Sequence, residues 1–118
     1  MFLASPPVEL DWRDRFDLFR TGTGETAAQR IAQAACELKT LDLFESAQFG
    51  SIADRLAEKF GTRGLPITLS TACASGATAI QLGVEAIRRG ECDRALSIGA
   101  DGSATAEALI RFSLLSAL

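Results

Sequence analysis

Residues 66–100 read PITLSTACASGATAIQLGVEAIRRGECDRALSIGA, and this stretch decides the fold class. Short apolar runs predict strands at about 66–70 and 94–100. Between them, apolar residues recur at helical spacing and predict a helix from about Cys73 to Arg89, with Gly90 following its last turn. The order strand, helix, strand is a βαβ unit with parallel strands, which makes the fold class α/β.

Weaker patterns precede the βαβ unit. Phe2–Ala4 is a short apolar run that predicts the end of a strand, and residues 9–20 predict a loop or a short helix. Helical spacing predicts a helix over about 25–40, with Cys36 in its middle. Another helix is predicted to begin at Ser51, whose side chain is typical of an N-cap.

The composition of the 118-residue chain excludes several classes of function. Lys and Arg number 12 against 15 Asp and Glu, giving a net charge of -3, whereas nucleic-acid binders carry basic surfaces. There is no His, so the chain itself supplies neither a Ser-His-Asp triad nor an imidazole metal ligand. No apolar run approaches the roughly 18 residues of a membrane span. The length and composition fit one globular domain.

The three cysteines, Cys36, Cys73 and Cys92, are widely spaced and include no C-x-x-C pair. This pattern fits neither a disulfide framework nor a zinc site, and it is typical of a reducing, cytoplasmic compartment. We expect no metal and no cofactor, and we interpret Cys36 and Cys92 as structural. Residues 22–27 match G-x-G-x-x-A, but no predicted strand leads into them. A helix-capping turn is therefore a better interpretation than a dinucleotide site.

Cys73 stands where the first predicted strand meets the helix, at the edge where open parallel sheets bind ligands. Free amides and the positive dipole end at a helix start favour a thiolate and can hold a developing oxyanion. At helical spacing Cys73 shares a face with Ile80, Val84 and Ile87, and we expect that face to be enclosed by protein. Cys73 is therefore a candidate nucleophile. A small core residue at a tight junction is the alternative interpretation.

Four segments closely resemble the active-site region of β-ketoacyl-acyl-carrier-protein synthases, condensing enzymes with the thiolase fold. They are residues 70–76 (STACASG), 86–93 (AIRRGECD), 97–102 (SIGADG) and 111–118 (RFSLLSAL), about half of the chain together with the residues between them. The resemblance implies a thiolase-like, parallel-strand-rich sheet, with residues 1–118 as part of the N-terminal domain.

The same resemblance implies a mechanism and partners. Cys73 would take an acyl group from a carrier-protein thioester, and its backbone amide would form half of the oxyanion hole. Decarboxylation of malonyl-carrier protein would then drive a Claisen condensation, in fatty-acid or related lipid biosynthesis. Acyl carrier protein is thus the implied partner, and the complete enzyme would be a homodimer.

The sequence departs from that family in two respects. The family uses two downstream histidines and a lysine for decarboxylation, and this chain has no His. The family's first strand, which lies between the strand near Phe2 and the strand at 94–100, is also missing from the pattern. We therefore expect an incomplete N-terminal half that is inactive alone and barely stable, because strands without neighbours leave amides and carbonyls unpaired. A non-catalytic thiolase-fold assembly module is the alternative.

Overall fold

The computed structural model describes residues 1–7, 9–36 and 38–116 and, within these ranges, all side chains except those of residues 38–40 and 43. The chain forms two compact units, one built from Met1–Val8 with Gln48–Asp101 and the other from Glu9–Ala47 with Gly102–Leu118. Among the described residues, no helix combines the length and the apolar character needed to cross a membrane.

The first unit contains a parallel sheet of three strands: β1 (Phe2–Ala4), β2 (Ile67–Leu69) and β3 (Ser97–Gly99). Their order across the sheet is β2-β1-β3, so the two outer strands each pair with β1 and not with each other. The strand predicted at Phe2–Ala4 is confirmed, and those predicted at about 66–70 and 94–100 are confirmed at shorter lengths. Parallel strands joined through helices confirm the α/β class.

The centre of the sheet differs from the sequence-based expectation. Phe2 of β1 is in register with both Ile67 and Ser97, so β1 pairs directly with β3. The Phe2 N–H donates to the Leu96 carbonyl, and the Ile67 N–H donates to the Met1 carbonyl, each at 2.9 Å. The expectation of an empty place between these strands is wrong, and the instability argued from it loses its basis. Pairing between strands far apart in sequence leaves no local pattern from which it could be predicted.

The helix α5 (Ser75–Arg88) packs on β1 and β3 and confirms the helix predicted from about Cys73 to Arg89. After its last turn Gly90 adopts a φ of 70°, a left-handed conformation that favours glycine, as the sequence predicted. The Glu91 N–H donates to the Ala86 carbonyl at 3.0 Å, which satisfies one of the carbonyls at the helix end.

The buried face of α5 is not the predicted one. Ile80, Val84 and Ile87 are exposed by 60%, 41% and 44%, whereas the small residues Ala79, Gly83 and Ala86 are buried. Ala79 and Ala86 belong to the same apolar cluster as Phe2 and Ala4 of β1. A helix that approaches a sheet closely needs small side chains at the contact, so side-chain size and not hydrophobicity selects the buried face.

The helix α4 (Ser51–Phe60) begins at the predicted residue, but its N-cap differs from the predicted one. Gly50 is its N-cap and makes no side-chain cap bond, while the Ser51 hydroxyl donates to the Gln48 carbonyl at 2.8 Å. The predicted N-cap role of Ser51 is therefore wrong, because its hydroxyl bonds to a carbonyl that precedes the helix. The helix ends at Phe60, and the Gly61 that follows is also left-handed, with a φ of 61°.

The second unit is helical over its described residues: α1 (Trp12–Thr21), α2 (Ala27–Ala35), α3 (Leu38–Ala47) and α6 (Ala106–Leu114). α1 confirms the helical alternative for residues 9–20. The single helix predicted over 25–40 is wrong, because α2 ends at Ala35 and the Cys36 N–H donates to the Gln33 carbonyl at 3.1 Å. Cys36 thus lies at a helix end and not in mid-helix. Glu37 of that prediction, and Ala117 and Leu118 of the last resembling segment, lie outside the described residues.

Residues 22–27 form the capping turn that was predicted for them. Thr26 is the N-cap of α2: its hydroxyl accepts from the Gln29 N–H at 3.2 Å, and the Gln29 side chain accepts from the Thr26 N–H at 2.9 Å. Gly22 is buried against α2, where a Cβ would overlap the Arg30 carbonyl oxygen. The glycine therefore serves close packing of the turn on the helix.

Candidate active site

Cys73 lies in the turn that joins β2 to α5. The strand ends at Leu69, and the helix begins at Ser75 with Ala74 as its N-cap. This helix start confirms the prediction of a helix from about Cys73. Cys73 itself is exposed, so the expected enclosure of its face is wrong. Exposure is also incompatible with the alternative interpretation of Cys73 as a core residue.

Ala72 gives this turn its sharp bend. Its φ is 52°, a left-handed conformation that costs a non-glycine residue roughly 1–2 kcal/mol. Two backbone hydrogen bonds close the chain around it: the Ala74 N–H donates to the Thr71 carbonyl at 3.2 Å, and the Ser75 N–H donates to the Ala72 carbonyl at 3.1 Å. Strain at such a position persists only where the surrounding structure holds it in place.

Three hydroxyl groups support the strained turn. Ser75 Oγ accepts from the Thr71 N–H at 2.8 Å and donates to the Ala72 carbonyl at 2.6 Å. Thr78 Oγ1 donates to the Ala74 carbonyl at 3.0 Å, so it accepts from Thr71 Oγ1, also 3.0 Å away. None of these hydroxyls was predicted as part of the site. Ser and Thr near a helix start are nevertheless a known signal for local side-chain bonds to the backbone.

The first turn of α5 presents free hydrogen-bond donors beside Cys73. Among the residues that the structure describes, the N–H groups of Cys73, Gly76 and Ala77 have no hydrogen-bond partner. Unpaired amides at a helix N-terminus carry partial positive charge and bind anions. This end of the helix can therefore stabilise negative charge that develops on a group attached to Cys73.

The other two cysteines have different surroundings. Cys36 is exposed at the C-terminal end of α2, the negative end of that helix's dipole, and its N–H donates to the Gln33 and Ala34 carbonyls. Cys92 is half-buried and packs against the apolar cluster of Phe2 and Ala4, in agreement with a structural role. Within the described ranges, no group of three or more Cys, Asp or Glu residues is placed to hold a metal ion.

An exposed cysteine in a strained turn between a parallel strand and a helix N-terminus defines an α/β protein with a candidate nucleophile. A comparison of the sequence with models of protein families shows the family to which this α/β protein belongs. The model described as "Beta-ketoacyl synthase, N-terminal domain" matches residues 19–118, which include the turn at Cys73. The chain belongs to the β-ketoacyl synthase family.

Individual relatives are polyketide synthases by name. The chain is 38% identical over 91 residues to "Pikromycin polyketide synthase component PikAIII" of Streptomyces venezuelae, covering 77% of this chain and 6% of that protein. It is 45% identical over 75 residues to "Spectinabilin polyketide synthase system protein NorA'" of Streptomyces orinoci, covering 63% of this chain and 2% of the relative. The chain thus spans only a small part of these relatives. No solved structure matches it.

Proposed function

We propose that this chain supplies the nucleophile of a condensing enzyme: Cys73 accepts an acyl group from a thioester and holds it as an acyl-enzyme. The observation that carries the proposal is the exposed position of Cys73 in the turn before α5, beside backbone amides that have no partner among the described residues. Family membership supports the same role, because the T-A-C-x-S-G core at 71–76 lies within the matched residues.

The acyl-transfer step forms one bond and breaks another. The Cys73 thiolate attacks the carbonyl carbon of the acyl-thioester, and the negative charge moves to the carbonyl oxygen. The Cys73 N–H would donate to that oxygen and stabilise it. When the tetrahedral intermediate collapses, the acyl group stays on the Cys73 sulfur, and the donor thiolate leaves and takes a proton from solvent.

Condensation would use the same acyl-enzyme. A malonyl-thioester loses carbon dioxide, and the resulting carbanion attacks the acyl carbonyl on Cys73. A carbon–carbon bond forms, and the Cys73 thiolate leaves. This step needs positioned groups that move a proton and stabilise the carbanion, and the chain contains no His. We therefore assign acyl transfer to this chain, and condensation only to a complete polypeptide.

The relatives favour a polyketide intermediate over a fatty acyl chain as the acyl group, because they are named as polyketide synthase components. Acyl carrier protein would be the donor and would carry the malonyl group as well. In this proposal residues 1–118 are part of the N-terminal domain of a cytoplasmic homodimer.

An acyl-transfer assay tests the role of Cys73. The chain is incubated with the propionyl thioester of N-acetylcysteamine, and its intact mass is measured before and after neutral hydroxylamine, which cleaves thioesters. We expect one propionyl group that hydroxylamine removes, that is absent from Cys73→Ala and that persists in the matched control Cys36→Ala. Undiminished labelling of Cys73→Ala would contradict the proposal. No labelling of the unsubstituted chain would also contradict it and would favour the assembly module.

A further inference from the structure

Peptide geometry connects Ser75 to the amide that the proposed acyl transfer uses. The Ala72 carbonyl and the Cys73 N–H belong to one peptide unit. That unit is planar and trans, because no described peptide bond is cis. In a trans unit the carbonyl and the N–H point in opposite directions. A contact that fixes the direction of the Ala72 carbonyl therefore fixes the direction of the Cys73 N–H.

The Ala72 carbonyl is held by Ser75 at the start of α5. The Ser75 hydroxyl donates to it at 2.6 Å, and the Ser75 N–H donates to it at 3.1 Å. At the other side of the same peptide unit, the Cys73 N–H has no partner in the described part of the chain. The carbonyl is thus tied to the helix, and the amide is directed away from the bonds that hold the turn.

The same hydroxyl also bonds to the chain that precedes Ala72. Ser75 Oγ accepts from the Thr71 N–H at 2.8 Å, so one side chain connects the backbone on both sides of a residue with a φ of 52°. Because Ala72 is not a glycine, this conformation relaxes unless its neighbours hold it. Relaxation at Ala72 would rotate the peptide unit that carries the Cys73 N–H.

We propose that Ser75 is a positioning residue that orients the Cys73 amide toward the oxygen of the incoming acyl group. This inference rests on the proposed function. Ser75 acts through the Ala72–Cys73 peptide unit. This role differs from that of a residue that only keeps the turn folded. Orientation of the Cys73 amide affects only reactions of Cys73 that pass through an oxyanion.

Two reactions of the same thiol separate these roles. Acylation by a thioester passes through an oxyanion and uses the amide, whereas alkylation by iodoacetamide is a displacement at a saturated carbon and forms no oxyanion. The readout is the ratio of the acylation rate to the alkylation rate at Cys73, since changes in thiolate population cancel in it. We expect Ser75→Ala to lower this ratio about tenfold.

Three further variants complete the test. Ser75→Thr keeps the hydroxyl and should restore the ratio. Ser75→Asp accepts from the Thr71 N–H but cannot donate to the Ala72 carbonyl, so it should lower the ratio even though an acidic residue suits a helix start. Ser70→Ala is the matched control, because the exposed Ser70 hydroxyl makes no hydrogen bond among the described residues. Its ratio should equal that of the unsubstituted chain.

Each outcome decides the inference. An unchanged ratio in both Ser75→Ala and Ser75→Asp overturns it and leaves the proposed function intact. A parallel fall of acylation and alkylation, which leaves the ratio constant, also overturns it, because it indicates only a displaced thiol. Failure of the unsubstituted chain to take up an acyl group overturns the proposed function itself, and is recognised without any Ser75 variant. A lowered ratio that Ser75→Thr restores supports the inference.

Discussion

Ser97 on β3 occupies the space that a side chain at Gly83 on α5 would need. A Cβ added at Gly83 would lie 2.7 Å from Ser97 Oγ, and that hydroxyl donates to the Ala79 carbonyl of α5 at 2.9 Å. The helix can approach the sheet this closely only because residue 83 has no side chain. The contact sets the position of α5, whose first turn carries the candidate site.

Gly83→Ala should therefore destabilise the chain. Alanine favours a helix over glycine by up to about 1 kcal/mol, but overpacking a close contact costs about 1–3 kcal/mol. The displaced Ser97 would also lose its bond to Ala79, so we expect a net loss of about 1–2 kcal/mol in the free energy of unfolding by urea. Gly76→Ala on the same helix is the control, because its Cβ would meet no atom within 4 Å. Equal stability of the two variants would contradict the close contact.

Leu3→Ala tests the position of β1 at the centre of the sheet. Leu3 is completely buried, with 0% of its surface exposed, whereas Leu65 is 90% exposed. Truncation of a buried leucine costs about 2–5 kcal/mol, and an exposed position typically changes stability by less than about 0.5 kcal/mol. Thermal unfolding should show a large fall in Tm for Leu3→Ala and almost none for Leu65→Ala. A small effect at Leu3 would argue that β1 is an edge or frayed strand.

The cap of α2 provides a test within the second unit. Thr26→Ala removes the hydroxyl that accepts from the Gln29 N–H and should lower stability by about 0.5–2 kcal/mol. Thr26→Ser keeps the cap oxygen and should retain most of the stability. Helix content and urea unfolding, followed by circular dichroism, measure both. Similar losses in the two variants would show that the hydroxyl bond contributes little.

The chain should form an acyl-enzyme without forming a condensation product. Positioned general acids and bases contribute roughly 10² to 10⁴ in rate, and the chain has no His to supply them. After incubation with a propionyl-thioester and a malonyl-thioester, we expect propionyl on the protein and no 3-oxoacyl product by mass spectrometry. Product above the uncatalysed level would show that other groups in this chain stabilise the carbanion.

Local sequence patterns predicted the strand and the helix on either side of the site. They failed where side-chain size, or pairing between residues far apart in sequence, determines the structure. The apolar spacing and Gly90 located α5, and the junction with β2 located Cys73. The same spacing wrongly predicted that Ile80 and Val84 lie on the buried face. Apolar spacing depends on hydrophobicity alone, whereas the close contact with the sheet requires a residue without a side chain, Gly83. Pairing of β1 with β3 joins residues almost a hundred positions apart, which no local window can detect.

The details of the site were also beyond the sequence patterns. The hydroxyl bonds of Ser75 depend on the left-handed conformation of Ala72, a residue type that rarely adopts it and gives no signal of it. The end of α2 at Cys36 is marked by neither glycine nor proline, so spacing alone carried the predicted helix too far. Such features follow from tertiary constraints on the backbone.

In the proposed function, the turn before α5 makes Cys73 the acyl acceptor of this chain. The most direct measurement is the acylation rate of each cysteine in one sample, with a limiting propionyl-thioester and peptide mass spectrometry at successive times. Cys73 and Cys36 are both exposed, so each serves as a control for the accessibility of the other. We predict acylation at Cys73 at least about tenfold faster than at Cys36, because the amides beside Cys73 have no partner among the described residues, whereas Cys36 lies at the C-terminal end of α2. Equal rates, or faster acylation of Cys36, would contradict the proposed role of Cys73.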